Sequence, residues 1–187
     1  TIYDYLPTLE KKGEHGHGFH YVTPNTDVLG WIVRRVSGQN TEHMLSERVW
    51  QPMGAELDAY YIVDPNGTAF AGGGLNTGLR DLARFGELVR NHGRVGQTQV
   101  LPAAAVADTF AGADPARFAA NGPATLAGWS YRNMWWVTHN EHGAFAARGV
   151  HGQALYIDPA AKVVIAVVNR AGRPRRLPDA LARQFLA

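Results

Sequence analysis

The chain has 187 residues, 45% hydrophobic, 10% aromatic and 18% charged, with 18 Lys and Arg against 16 Asp and Glu and no cysteine. That is the composition of one ordinary globular domain, and a chain of this size buries roughly 70% of its unfolded surface. The missing cysteine excludes disulfide scaffolds, thiol nucleophiles and thiolate metal sites, and a net charge of +2 argues against a nucleic-acid partner.

Residues 1–20 read as an entering loop. They end in the glycine and charge mixture Lys11-Lys12-Gly13-Glu14-His15-Gly16-His17-Gly18. The start, Thr1-Ile2-Tyr3-Asp4-Tyr5, has neither an initiator Met nor a signal layout, so the protein is expected to begin upstream, and its compartment stays open. Residues 21–125 read as a helical region. Pro24 suits a first helical position, and Val28, Leu29, Ile32, Val33 and Val36 recur at helical spacing before Gly38, which predicts a buried amphipathic helix. A second helix is expected from about Thr41 to Trp50, with Met44, Leu45 and Val49 inward. Residues 55–76 look irregular, with Gly72-Gly73-Gly74 where a side chain would block the backbone. A third helix follows, capped by Thr77, striped by Leu79, Leu82, Phe85, Leu88 and Val89, and ended by Gly93. A short one is expected around Pro102 to Phe110.

Residues 126–187 change character. Trp129 to Thr138, Ala144 to Arg148, Gln153 to Ile157 and Val163 to Asn169 are aromatic or β-branched runs with short connections, which predicts three or four antiparallel strands. A helix from about Leu177 to Leu186 is expected to cover them. Helices followed by antiparallel strands make the fold class α+β. Arg170, Arg173, Arg175 and Arg176 read as a solvated loop, the alternative being a phosphate-binding patch. No run of 18 apolar residues exists, so no membrane partner is expected.

Common catalytic signatures are missing: no Gly-x-Ser-x-Gly, no phosphate loop, no His-Glu-x-x-His. Only Ser37, Ser46 and Ser130 are serines, and none has Lys three residues on. His15, His17 and His20 have a spacing that could hold a metal, but the interleaved glycines favour a flexible loop, and no metal site is expected. Asp27 and Glu42 fit early helical turns. Of Trp135 and Trp136, which point to opposite faces of a strand, one can fill the core while the other lines a pocket or covers the helical region.

Three ordered segments carry more. Phe19-His20-Tyr21-Val22-Thr23-Pro24-Asn25 ahead of Leu29-Gly30 resembles the Tyr-centred second motif of the serine β-lactamase and penicillin-binding-protein superfamily. Ala71-Gly72-Gly73-Gly74-Leu75-Asn76-Thr77 with Arg80-Asp81-Leu82-Ala83-Arg84-Phe85-Gly86 resembles the glycine run and helix of its class C-like esterase branch. Ala147-Arg148-Gly149-Val150-His151-Gly152 and the hairpin after it resemble the third-motif strand. Within the branch the likeness is to 6-aminohexanoate-dimer hydrolases and related carboxylesterases.

The resemblance implies a serine hydrolase cleaving a small ester or amide through an acyl-enzyme, with no cofactor. Tyr21 would relay the proton and Val150 would give a backbone N–H to the oxyanion hole. Gly149, His151, Gly152, Thr23 and Trp136 would line the substrate side. The nucleophile, a Ser-x-x-Lys pair, would lie upstream of Thr1, in an N-terminal part of the same fold that this chain must partner. Thr23 stands where Asn is usual, and the Lys-Thr-Gly motif is absent, which removes a cation that would hold a carboxylate and points to esters or amides over β-lactams. Other readings stay open: Tyr21 as a buried tyrosine with a satisfied hydroxyl, Gly149 to Gly152 as a bulge or tight bend, and the whole as a non-catalytic binding or regulatory domain on this scaffold.

Overall fold

Residues 1–169 are described by a computed structural model. The arginine cluster and the helix expected from Leu177 to Leu186 lie outside the described residues. In chain order the elements are α1 (Ile2–Tyr5), α2 (Thr23–Ser37), α3 (Thr41–Leu45), β1 (Tyr60–Tyr61), β2 (Leu75–Asn76), α4 (Leu79–Arg90), β3 (Arg94–Val95), β4 (Thr98–Gln99), α5 (Ala103–Ala111), α6 (Pro115–Ala119), β5 (Ser130–Arg132), β6 (Trp135–Val137), β7 (Phe145–Arg148), β8 (Ala154–Asp158) and β9 (Val163–Val167). Helices precede an antiparallel sheet, the α+β class expected. None of these helices is long and apolar enough to cross a membrane.

The stretch expected as loop opens with α1, because the Thr1 hydroxyl accepts the Asp4 N–H at 3.2 Å, a capping signal present in the sequence. Pro24 lies in the first turn of α2, where its missing N–H costs nothing, and Gly38 closes the helix at φ +71°, donating to the Arg34 carbonyl at 3.0 Å. The apolar stripe of α2 is not buried as expected: Leu29, Ile32 and Val33 are exposed and Val36 is 84% exposed. The helix is held from other sides. Buried Asp27 accepts the Gly72 N–H at 2.9 Å, and Tyr3 packs on Trp31 with ring centroids 5.4 Å apart. Among the described residues nothing covers the Leu29 to Val36 stripe.

Thr77 does not cap α4. Gly78 occupies the N-cap position without a side-chain bond, and the Thr77 hydroxyl donates to the Gly78 carbonyl at 3.4 Å instead. Asp81 anchors this end: its buried carboxylate accepts the Glu56 and Leu57 N–H groups at 2.8 and 3.1 Å and pairs with Arg84. Those two amides hold it in the ionised form against its burial. At the other end Gly93, at φ +80°, donates to the Leu88 carbonyl at 2.8 Å.

The sheet has five strands in the order β5-β6-β7-β8-β9, every neighbouring pair antiparallel. The run from Trp129 to Thr138, expected as one strand, is a hairpin: Asn133 and Met134 take φ of +49° and +70° and turn β5 back onto β6, with Tyr131 opposite Trp136. Two successive positive φ values are what a two-residue hairpin turn requires, and Asn tolerates this while Met conceals it.

Alternation divides the sheet. Val137, Phe145, Leu155 and Ile157 face α4 and α5, packing with Val89 and Val106 and with Leu82, Phe85, Trp135 and Val164 around them. A Cβ on Gly86 of α4 would lie 2.5 Å from Val164 Cγ1 and 2.8 Å from Leu155 Cδ1, so only glycine lets helix and sheet approach this closely. Gly86→Val should therefore lower stability by about 1–3 kcal/mol through overpacking, read as a lower urea midpoint at unchanged slope. An unchanged midpoint would mean that α4 sits further from the sheet. The opposite face carries Tyr131, Trp136 and Ala146, paired across β5, β6 and β7, and Arg148, paired with Ala154 of β8.

Candidate active site

Of the sequence candidates, Tyr21 and Trp136 are in contact. Trp136 is 9% exposed and packs with Phe118, Leu126 and Trp129, with Phe19 and Tyr131 beside them. Tyr21, in the extended segment just before α2, stacks on it with centroids 5.9 Å apart and planes at 16°. Tyr131 meets both rings edge-on, at 5.0 Å from Trp136 and 5.9 Å from Tyr21. The guanidinium of Arg148 lies 5.5 Å from the same Trp136 ring centre. Trp135 takes the other direction, against Phe85 and Phe145 in the core, so the two tryptophans belong to different clusters.

Tyr21 is 55% exposed. It is thus not the buried, internally satisfied tyrosine that a structural reading required, and its phenol can meet a reactant. Tyr131 differs: burial, with Tyr21 adding to it, pushes its phenol up to about 12. At neutral pH it is a neutral donor, reaching the Met134 sulfur at 3.5 Å, where the Thr26 hydroxyl also points at 3.4 Å.

Gly149 to Gly152 joins β7 to β8 and is not a strand start. It is one turn of 3₁₀ helix over Val150–Gly152, with His151 at φ +62° and Gly152 at φ +79°. Gly149 donates to the Gln153 carbonyl at 2.8 Å and Gln153 returns to Val150 at 3.3 Å, closing the loop tightly. The segment is thus a tight turn between two strands and not a bulge within one. It leaves chemistry open, because Val150 is 71% exposed and its N–H donates to no group among the described residues. His151 is exposed, and its carbonyl accepts from the Asn169 side chain at 2.8 Å.

Thr23 stands apart from this group. Its methyl would be 2.5 Å from a Cβ on Gly72, so the glycine run lies directly against the start of α2. His15, His17 and His20 are exposed in the entering segment. Ser130 makes a 2.7 Å contact with His139 Nε2, a serine–histidine pair. It is wholly buried and also accepts the Ala113 N–H at 2.9 Å, so it ties the segment after α5 to β5 and has no route to a substrate.

A family profile described as Beta-lactamase matches residues 1–187. This chain belongs to the beta-lactamase family. It is 37% identical over 164 residues to a 6-aminohexanoate-dimer hydrolase of Paenarthrobacter ureafaciens, covering 87% of this chain and 42% of the relative. A solved structure described as "Putative 6-aminohexanoate-dimer hydrolase from Bacillus anthracis" superposes with a TM-score of 0.87 at 37% identity, over 98% of this chain and 46% of its own. The hydrolase EstCE1 shares the fold at 18% identity and a TM-score of 0.66, over 84% of this chain and 52% of its own. The chain thus spans less than half the length of the two family members it matches at 37% identity.

Two residues at the site escaped the sequence reading. Tyr131 becomes visible only once the β5–β6 hairpin sets it opposite Trp136. Arg148 lies next to Gly149 in the third segment of this beta-lactamase-family chain, and only its position over Trp136 marks it out.

Proposed function

We propose that the full-length protein containing this chain is a serine hydrolase that opens a small ester or amide through an acyl-enzyme. The nucleophile would be a Ser-x-x-Lys pair supplied by sequence outside these 187 residues, in a part of the fold that partners this one. In this reading the lysine takes the serine proton and the serine oxygen attacks the carbonyl carbon. Charge then grows on the carbonyl oxygen, and the Val150 N–H, free of any other partner among the described residues, meets it together with the serine's own amide. Tyr21 takes up the proton from the lysine as it hands its own to the alcohol or amine, whose bond to the carbonyl carbon breaks, and water then releases the acyl group from the serine. Gly149, His151 and Gly152 form the wall beside the oxyanion, Trp136 the floor, and Thr23 the helix start behind the glycine run.

One observation supports this most: a single ring, Trp136, carries both the exposed Tyr21 and Arg148, two residues ahead of Val150, whose amide has no partner among the described residues. The names of the relatives at 37% identity point the same way. The test is labelling of the full-length protein with an alkyl fluorophosphonate. One serine, followed three residues later by lysine, is expected to be modified, with loss of ester turnover. No labelling and no turnover would favour a non-catalytic binding domain on the same scaffold.

A further inference from the structure

We infer that Asn169 is a positioning residue that fixes the direction of the Val150 N–H, an inference that rests on the hydrolase reading above. The turn from β7 to β8 carries two successive positive φ values, +62° at His151 and +79° at Gly152. Glycine takes such angles without strain, but histidine keeps them only where its surroundings hold it. Within the turn that hold is partial. Gly149 donates to the Gln153 carbonyl at 2.8 Å and ties the strand ends together, while Gln153 reaches the Val150 carbonyl only at 3.3 Å. A further bond comes from outside the turn. Strand β9 pairs with β8, Val167 opposite Ala154, so the residues after β9 run beside the turn. There Asn169 Nδ2 donates to the His151 carbonyl at 2.8 Å.

The same arrangement occurs at a second bend. After α4, His92 and Gly93 take φ of +54° and +80°, and Gln99 Nε2 donates to the His92 carbonyl at 2.8 Å. In both places a left-handed histidine precedes a left-handed glycine, and a side-chain amide holds the histidine carbonyl. Gln99 belongs to β4 and steadies the short β3–β4 ribbon. Asn169 steadies the turn that carries the Val150 amide. Without its bond the His151–Gly152 peptide is free to rotate and His151 to relax to negative φ, which turns the preceding Val150 away from its present direction. An oxyanion donor works because it is aimed before charge develops, and a misplacement of about 1 Å can cost about 10²-fold. Asn169 therefore acts through the backbone of the turn and touches no reacting atom. Because it holds the carbonyl, the His151 ring is left to the substrate side.

The test is a double-mutant cycle in the full-length protein, read on 4-nitrophenyl acetate and 4-nitrophenyl butyrate. Asn169→Ala is expected to lower kcat by about 10- to 100-fold, part of the loss for a missing oxyanion donor, with KM changed by less than about twofold. Added to Val150→Pro, the same substitution should cost nothing further, because no N–H is left to aim, whereas a merely structural role would slow the double variant again. An unchanged kcat in Asn169→Ala, or losses that multiply in the double variant, overturns the inference while the hydrolase reading stands. Should a thermal melt show that Asn169→Ala does not fold, Asn169→Asp, which keeps the shape and loses the N–H, is read against the same outcomes. Turnover of neither ester by the unaltered protein overturns the hydrolase reading and this inference with it.

Discussion

Tyr21→Phe in the full-length protein is expected to lower turnover by about 10²–10⁴, the range for a positioned acid–base group, while leaving the unfolding midpoint unchanged. The two halves of this expectation have separate causes. Stability is preserved because Phe retains the ring that stacks on Trp136 at 16°, and because an exposed tyrosine leaves behind no buried group in need of its hydroxyl. Turnover falls because Phe cannot carry a proton to the leaving group. Neighbouring Tyr131 is the weaker acid, since burial pushes its phenol up to about 12, and its hydroxyl points at the Met134 sulfur. Steady-state rates beside a thermal melt decide the matter. Near-normal turnover would reduce Tyr21 to a support for Trp136, and a lowered midpoint would show that its hydroxyl is used in folding.

Val150→Pro is expected to cost about 10²–10³ in kcat, the effect of losing one oxyanion donor, whereas Val150→Ala should be close to wild type. Proline is a clean probe here because the fold gives up little to it. The Val150 N–H bonds nothing among the described residues, and the positive φ values of this turn fall on His151 and Gly152, not on Val150. Gly149 already has the extended conformation, φ −113° and ψ 170°, that a residue before proline adopts. Alanine keeps the amide and removes only methyl groups from a side chain that is 71% exposed. If Ala and Pro lose activity equally, the side chain is what matters. If neither does, the oxyanion is held elsewhere.

What the sequence revealed divides by range of interaction. Alternation and short connections placed β7, β8 and β9, because those signals are local and the buried face enforces them. The β5–β6 turn was hidden since Met134, rather than glycine, takes a positive φ after Asn133. Thr77 was a reasonable cap on composition, but the bonds that fix α4 come from Glu56 and Leu57, more than twenty residues away, and no window around Thr77 contains them. The α2 stripe was correctly read as apolar and wrongly as buried, because periodicity says which face is apolar and not what meets it. At the site, Tyr21 and Val150 were named only through resemblance to a family. That Tyr21 stacks on Trp136, and that the Arg148 cation lies over the same ring, emerges only once β5, β6 and β7 are paired.

The position of Trp136 also bears on how such a site can diversify. The indole packs in a cluster with Phe118, Leu126 and Trp129, and it also supports Tyr21. Truncating a core aromatic costs about 3–5 kcal/mol, a large part of a domain's whole margin. Selection for new substrates therefore has little freedom at Trp136, where any change of shape is felt by the fold before it is felt by the chemistry. Exposed Arg148 and His151 carry no such burden. Relatives that exchange one substrate for another are expected to differ at that rim and to keep the ring beneath it.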